Sequence, residues 1–238
     1  MMDRLANRFR VLAVDLYGYG QSPTWAEGER LSLADEVRLI EPVLRASGGS
    51  FHLVGHSYGG AVALKAALEE PGRVRSLMLY EPVLFSLLFQ EDPEQPGARE
   101  IAQVRDDTTA AVGRGDLDGA GQRFVDYWMG AGAWSGMPEK RRAGIAPTMR
   151  KVKEEWNALI TDATPLGGFA TLPIETRCLL GTRSPTSTTR ITRLLASALP
   201  RVSLVELPGL GHMGPVTHAD VVNAEIEAFL GVAGSLPR

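Results

Sequence analysis

Apolar and polar residues follow two patterns along this chain. Short, nearly continuous apolar runs are typical of strands buried on both faces, and apolar residues spaced three or four positions apart are typical of helices. Runs of the first kind predict strands at Arg10–Asp15, Ser50–Val54, Val74–Tyr80, Glu175–Leu180 and Val202–Leu207. Segments of the second kind predict helices at Ser32–Ala46, Ala61–Glu70, Ser187–Leu199 and Thr217–Leu230. Strands alternating with helices predict an α/β protein whose mostly parallel sheet carries helices on both faces.

Local signals predict where some of these helices begin or break. Ser32 and Asp35 have the spacing of a capping box, in which a serine and an acidic residue three positions later satisfy free backbone N–H groups. Thr217 and Asp220 repeat that spacing at the start of the last predicted helix. Pro42 lacks a backbone N–H and is expected to kink or split the helix around it.

The segment from residue 82 to residue 172 breaks the alternation, because it contains helical patterns and no convincing strand. We therefore predict a helical lid inserted after the third strand, with residues 1–81 and 173–238 forming the α/β core. Trp128 and Trp156 lie in this segment and are expected to line an apolar pocket. Packing of the lid against the sheet is the alternative for most of its aromatic side chains.

The segment 55–60, with the sequence GHSYGG, joins a predicted strand to a predicted helix. It has the G-x-S-x-G pattern of a sharp turn that presents a serine at a helix N-terminus, where backbone N–H groups favour negative charge. Glycine is expected to be required at Gly55 and Gly59, because a Cβ atom there would collide with the tightly turned backbone. The pattern predicts a nucleophilic Ser57, and a plain glycine-rich turn is the alternative.

Composition and charge narrow the possible functions. The chain has 238 residues, of which 44% are hydrophobic and 22% charged, as is typical of a globular protein. A net charge of −3 without a basic patch argues against nucleic acid as a partner. No apolar stretch is long enough to cross a bilayer, and the charged start lacks the apolar segment of a signal peptide, so we predict a cytoplasmic protein without a membrane partner. The single cysteine, Cys178, is expected to be buried, and no metal site is predicted.

Three motifs together resemble the α/β-hydrolase superfamily, as serine hydrolases with a helical lid. Asp15–Ser22 is similar to its D-x-x-G-x-G-x-S loop, segment 55–60 to its nucleophile turn, and Gly209–His212 to the loop that carries its catalytic histidine. The resemblance implies hydrolysis of an ester, a lactone or a related acyl bond by a serine, a histidine and an acid, without a cofactor. With the predicted apolar pocket, it indicates a small-molecule substrate that has an apolar portion.

The chemistry of that reaction selects among the four histidines. A serine hydroxyl needs a nearby imidazole to take its proton and pass it to the leaving group. His212 lies in a glycine-flanked loop after the last strand and is the predicted base. His52 lies inside a strand, and the side chain of His56 is expected to point away from the Ser57 hydroxyl. His218 begins the last predicted helix, where a surface or capping role is favoured.

The acid departs from the common pattern of the family. Most members place an aspartate shortly after the fourth strand predicted here, where this chain reads GTRSP at residues 181–185. Ser184 is expected to be a helix N-cap, with Pro185 at the first helical position. A minority of hydrolases with this fold take the acid from the end of the preceding strand, where this chain has Glu81. We predict Glu81 as the acid, and a backbone-bonding role at the lid hinge is the alternative.

The N-terminal part is a second departure. The family has three strands before the one predicted at Arg10–Asp15, and the third leads to a His-Gly turn that supplies one oxyanion donor. We expect the chain to begin at an internal methionine of a longer protein, and the sheet either to pair Arg10–Asp15 with Ser50–Val54 or to leave a gap. The other oxyanion donor is the backbone N–H of Tyr58. Tyr17 and Gly18 are expected to edge the pocket, with packing as the alternative for Tyr17.

Other functions stay open at this point. Dehalogenase and epoxide hydrolase activities are disfavoured, because relatives with those activities need an aspartate at the Ser57 position. Carbon–carbon bond hydrolysis and acyl transfer to an acceptor other than water use the same three residues and are alternatives. The two departures from the family pattern suggest a non-catalytic binding protein or an inactive fragment as further alternatives.

Overall fold

A parallel sheet of four strands lies at the centre of the computed structural model, which describes residues 1–26 and 28–233. The strands are β1 (Phe51–His56), β2 (Val74–Tyr80), β3 (Glu175–Gly181) and β4 (Val202–Leu207), and they lie side by side in that order. The register places His56 opposite Tyr80 and Gly181 opposite Leu207, so the carboxyl ends of neighbouring strands meet at one edge. Ligands and reactive groups collect at that edge of a parallel sheet.

Helices connect and cover the strands. In chain order they are α1 (Met2–Leu5), α2 (Leu33–Ala46), α3 (Ser57–Glu69), α4 (Ser86–Glu91), α5 (Pro96–Gly113), α6 (Leu117–Met129), α7 (Glu139–Ile145), α8 (Met149–Thr161), α9 (Thr186–Ala198), α10 (Gly214–Thr217) and α11 (Ala219–Ala233). Two short 3₁₀ helices occupy Ala146–Thr148 and Leu166–Thr171. No helix in the described part of the chain is both long and apolar enough to cross a membrane.

Alternate residues of a strand place their side chains on opposite faces of the sheet. On β2, Leu77 and Leu79 belong to the larger hydrophobic core, whereas Met78 and Tyr80 pack in a second core with residues of α11. All four side chains are nearly or fully buried. The prediction of a parallel sheet covered by helices on both faces is therefore confirmed.

One predicted strand is absent. Residues 10–16 form a loop without sheet pairing, so the strand predicted at Arg10–Asp15 is wrong. An apolar pattern does not by itself supply the neighbouring strand that backbone hydrogen bonds require, and Leu12 and Val14 stay 45% and 41% exposed. Direct pairing of this segment with β1 is thereby excluded for the described residues, and β1 is an edge of the sheet with Val54 38% exposed. The four-stranded sheet is consistent with a hydrolase fold that lacks its first strands.

Helix ends agree with the sequence at α2 and disagree at α11. The Ser32 hydroxyl accepts a hydrogen bond from the Asp35 N–H at 3.2 Å and the Asp35 carboxylate accepts one from the Ser32 N–H at 2.9 Å, which confirms the capping box. α2 continues through Pro42 without splitting. The capping box predicted at Thr217 is wrong, because Thr217 ends the short helix α10 and the last helix begins at Ala219.

The segment between β2 and β3 contains helices α4 to α8 and packs on the larger core. Phe85 and Trp156 illustrate this packing, since both are buried and their ring centroids lie 5.7 Å apart. Cys178 on β3 is buried, as predicted. The division of the chain into a core and a lid stays a prediction.

Candidate active site

Ser57 lies at the junction of β1 and α3, where the chain turns sharply. Its φ of 54° is in the left-handed region that non-glycine residues rarely adopt, and such strain is typical of functional sites. A Cβ atom on Gly55 would lie 2.5 Å from the Gly59 carbonyl oxygen, so this position requires glycine. A Cβ atom on Gly59 would meet nothing within 4 Å in the described chain outside its own helix, so the predicted requirement does not hold there.

His212 approaches the serine from the loop between β4 and α10. Its Nε2 atom lies 2.9 Å from Ser57 Oγ, which is hydrogen-bond distance. His212 is only 2% exposed, so its imidazole is shielded from bulk water, whereas Ser57 is partly exposed. Of the four histidines, the one predicted as the base therefore faces the serine.

Glu81 follows β2 directly and lies on the other side of His212. Its Oε2 atom is 2.8 Å from His212 Nδ1. Its Oε1 atom accepts hydrogen bonds from the Gly181 N–H, at 2.8 Å, and from the Ser184 hydroxyl. Glu81 is fully buried and has a positive φ of 45°. The structure thus brings Ser57, His212 and Glu81 into one line of hydrogen bonds and fixes both carboxylate oxygens.

Ser184 differs from its predicted role. α9 begins at Thr186 and its N-cap residue is Pro185, so the assignment of Ser184 as N-cap and Pro185 as first helical residue is wrong. The Ser184 hydroxyl donates to Glu81 instead. A hydrogen bond to a carboxylate is about twice as strong as one between neutral groups, so this contact helps to fix the Glu81 carboxylate.

The indole of Trp128, on α6, packs against the imidazole of His212. The two ring centroids are 4.1 Å apart and the ring planes are inclined by 32°. Phe124 and Tyr127 contact the same indole edge-on, at 6.0 Å and 4.6 Å. The helical segment between β2 and β3 therefore supplies an aromatic wall beside His212, while a role of Trp128 in lining a substrate pocket stays a prediction.

A buried ionic cluster lies beside the nucleophile turn. Glu36 on α2 is fully buried and accepts hydrogen bonds from the Tyr17 N–H at 3.1 Å, the Tyr58 hydroxyl at 3.0 Å and the Lys151 ammonium at 2.9 Å. The Lys151 side chain passes over Gly18, where a Cβ atom would come within 3.3 Å of it. One carboxylate thus ties together the loop at Tyr17, the start of α3 and helix α8.

The sequence did not predict this cluster. Glu36 and Lys151 are 115 positions apart, and neither belongs to a recognised motif. Ile40, one turn after Glu36, is buried in the larger core. The sequence signal that could have indicated the cluster is a charged residue on an apolar helix face. A carboxylate is rarely buried without a partner, so such a residue predicts a buried cation or hydrogen-bond donor nearby.

Glu155, one turn after Lys151 on α8, adds a second buried carboxylate. Burial raises the pKa of Glu155 to about 7, and the Lys151 ammonium, 3.9 Å away, offsets part of that rise. Burial also raises the pKa of the Tyr19 and Tyr58 hydroxyls, so both phenols keep their protons at neutral pH. Two carboxylates therefore share one buried lysine close to the nucleophile turn.

The free energy of unfolding is expected to fall as the pH rises through the titration of Glu155. This carboxyl, with a pKa of about 7 when folded and its ordinary 4.5 when unfolded, binds its proton more tightly in the folded chain. The stabilisation from this tighter proton binding is complete below pH 4.5 and is lost as the pH rises through about 7. The free energy of unfolding is expected to fall by about 3 kcal/mol over that range.

Urea unfolding at about pH 5 and about pH 8 measures this decline. The stability difference between wild type and Glu155→Gln is expected to change by about 2–3 kcal/mol over that interval. Glu139→Gln alters an exposed carboxylate and serves as the control. Parallel pH dependence in wild type and Glu155→Gln would contradict the expectation.

The structure also locates Tyr17, Trp156 and His218, which the sequence analysis had considered. The Tyr17 ring packs edge-on against Trp25 with the centroids 5.0 Å apart. Trp156 is buried, and its indole N–H donates to the Thr108 hydroxyl at 3.2 Å. His218 is exposed at the surface and lies directly before α11, so both a surface role and a capping role stay open. The roles of Tyr17, Gly18 and Trp156 at a substrate pocket stay predictions.

Comparison with known proteins places the chain among hydrolases of one family. Residues 1–225 match the family model described as alpha/beta hydrolase family. A pimeloyl-(acyl-carrier protein) methyl ester esterase of Methylococcus capsulatus is 28% identical over 235 residues, which cover 95% of this chain and 86% of that protein. A probable lysophospholipase of Arabidopsis thaliana, BODYGUARD 2, is 33% identical over 103 residues, which cover 42% of this chain and only 22% of that protein.

Solved structures of hydrolases have a similar fold. A hydrolase from Pseudomonas aeruginosa superposes with a TM-score of 0.76 at 22% identity, and the match covers 96% of this chain and 82% of that one. At this identity the likeness shows a shared fold. Because the family model spans most of its length, the chain belongs to the alpha/beta hydrolase family.

Proposed function

We propose that this chain is a serine hydrolase that cleaves a small carboxylic ester, a lactone or a related acyl substrate. The observation that carries the proposal is the line of contacts from Ser57 Oγ to His212 Nε2, at 2.9 Å, and from His212 Nδ1 to Glu81, at 2.8 Å. A hydroxyl, an imidazole and a carboxylate in this order form the arrangement that activates a serine for acyl transfer. The methyl ester esterase of Methylococcus capsulatus supports the same class of reaction.

In the proposed reaction, Ser57 Oγ attacks the acyl carbon while His212 Nε2 takes the hydroxyl proton. Glu81 accepts a hydrogen bond from His212 Nδ1–H, which keeps the tautomer whose Nε2 accepts that proton. The imidazolium then gives its proton to the leaving alkoxide, so that the alcohol departs and an acyl-enzyme remains. Water deprotonated by the same imidazole attacks the acyl-enzyme, releases the carboxylic acid and restores Ser57.

The backbone N–H of Tyr58 is the proposed donor to the oxyanion. Tyr58 lies in the first turn of α3, where N–H groups have no partner within the helix. One such donor lowers the barrier by about 3–4 kcal/mol in a site from which water is excluded. The hydrogen bond of the Tyr58 hydroxyl to Glu36 anchors the residue that supplies this N–H.

We also propose that residues 82–172 form a lid over Ser57 and that the apolar portion of the substrate packs beneath it. Trp128, Phe124 and Tyr127 provide the aromatic wall beside His212. Such a wall favours an apolar acyl or alcohol group, because a charged group would lose its hydration there without compensation.

Hydrolysis of p-nitrophenyl acetate, butyrate and hexanoate by the purified chain tests the proposed function. At least one ester is expected to be cleaved about 10³-fold or more above its spontaneous rate, since enzymes typically reach about 10⁶-fold and one missing oxyanion donor costs up to about 10³-fold. A sulfonyl fluoride that acylates activated serines is the control and should stop the release. Binding of an ester without cleavage, by a chain that melts cooperatively, would contradict the proposal and favour a non-catalytic binding protein.

A further inference from the structure

Side chains from the sheet hold the loop that carries His212. This loop, residues 208–213, connects β4 to α10. The Tyr80 hydroxyl donates to the Gly211 carbonyl at 2.7 Å, and His56 Nε2 lies 2.9 Å from the His212 carbonyl oxygen. His56 and Tyr80 are the last residues of β1 and β2 and lie opposite each other in the sheet. Side chains of two neighbouring strands therefore form hydrogen bonds to two successive carbonyl groups of the loop, those of Gly211 and His212.

The contact of His56 with the loop defines its protonation. A carbonyl oxygen only accepts hydrogen bonds, so His56 Nε2 must carry the proton. Burial, followed by the nearby His212, lowers the pKa of His56 to about 4, and the ring is therefore neutral at neutral pH. The centroids of the two imidazoles are 4.9 Å apart. A neutral His56 holds the loop without repelling the positive charge that His212 acquires when it takes a proton.

The fit around Tyr80 is close. A Cβ atom on Gly214 would lie 2.1 Å from the Tyr80 hydroxyl oxygen, so glycine at this position makes room for the hydroxyl. The rings of His56 and Tyr80 meet edge-on with centroids 5.5 Å apart, and Tyr80 is 3% exposed. Each of the two side chains thus limits the movement of the other.

We propose that His56 and Tyr80 are positioning residues that clamp the loop and hold His212 in line between Ser57 and Glu81. The clamp itself stands on the geometry of the loop, and its effect on catalysis rests on the proposed function. A reacting group misplaced by about 1 Å typically loses about 10²-fold in rate. Loss of one support is therefore expected to lower kcat rather than to weaken substrate binding.

Hydrogen–deuterium exchange and ester kinetics on the full chain test the clamp. His56→Phe and Tyr80→Phe each remove one donor, and His56→Gln retains an N–H donor. Both phenylalanine variants are expected to show faster exchange over residues 208–214 and a kcat lowered about 10- to 100-fold, with KM within about twofold. His56→Gln is expected to recover part of the loss. His52→Phe is the matched control with wild-type behaviour, because His52 lies on the same strand but contacts the Ser76 hydroxyl.

Each alternative outcome has a distinct meaning. Unchanged loop exchange in both phenylalanine variants would overturn the clamp, whether or not the chain hydrolyses esters. Faster exchange with an unchanged kcat would overturn the positioning role in an active chain. A loss in His56→Phe that His56→Gln does not recover would overturn the role of the His56 donor. Absence of ester hydrolysis by the wild type would refute the proposed function, and loop exchange would then decide the clamp alone.

Discussion

Replacing Glu81 with glutamine is expected to lower kcat about 10³- to 10⁴-fold, with KM nearly unchanged. Glu81 accepts from His212 Nδ1 in the structure, and a glutamine amide turned the wrong way would donate to that nitrogen and stabilise the unproductive tautomer. The amide also lacks the negative charge that stabilises the imidazolium. Steady-state kinetics with the best p-nitrophenyl ester measures the effect.

Two further variants make the Glu81 result decisive. Glu175→Gln removes a carboxylate at the amino end of β3, whereas Glu81 bonds to Gly181 at its carboxyl end. Glu175 pairs with Arg201 near the surface, and the variant is expected to retain wild-type kcat. Glu81→Asp keeps the charge and is expected to be more active than Glu81→Gln. A melting curve for each variant shows whether the buried substitution still permits folding. A folded Glu81→Gln within about tenfold of the wild-type kcat would mean that Glu81 is not the acid.

Strand prediction was accurate where the segment has at least one hydrogen-bonding neighbour in the sheet. The bounds predicted for Val74–Tyr80 and Val202–Leu207 are those of β2 and β4, and the central strand β2 is a nearly continuous apolar run buried on both faces. Arg10–Asp15 has a similar pattern but forms no strand, because strand formation depends on a hydrogen-bonding neighbour as well as on side chains. The apolar pattern of one segment does not show whether a neighbouring strand is present to pair with it.

The positions of the three site residues follow from topology, whereas their surroundings do not. Ser57, Glu81 and His212 each come shortly after a strand, and the carboxyl ends of parallel strands share one edge of the sheet. Their proximity could therefore be predicted from motif order. The pairing of Glu36 with Lys151 depends on how α8 packs over the nucleophile turn, and neither periodicity nor spacing specifies that packing.

Replacing Ser57 with alanine is expected to lower kcat for ester hydrolysis by about 10⁵-fold or more. Alanine leaves the base and the acid without a nucleophile, and residual activity then reflects binding and oxyanion stabilisation alone. The substitution removes one hydroxyl from a partly exposed position, so cooperative unfolding should be retained. Ser135→Ala alters an exposed serine that bonds to the Gly132 carbonyl, and it is the control with unchanged kcat.

Covalent labelling of the purified wild-type chain by a fluorophosphonate, read by intact mass and peptide mapping, tests most directly whether Ser57 is an activated nucleophile. The probe needs no knowledge of the substrate, because it reacts with serines that a neighbouring base has activated. We expect one adduct, located on Ser57, that is lost in both Ser57→Ala and His212→Ala. No adduct on a chain that melts cooperatively, or an adduct that persists in Ser57→Ala, would contradict the assignment of this site as a serine hydrolase centre.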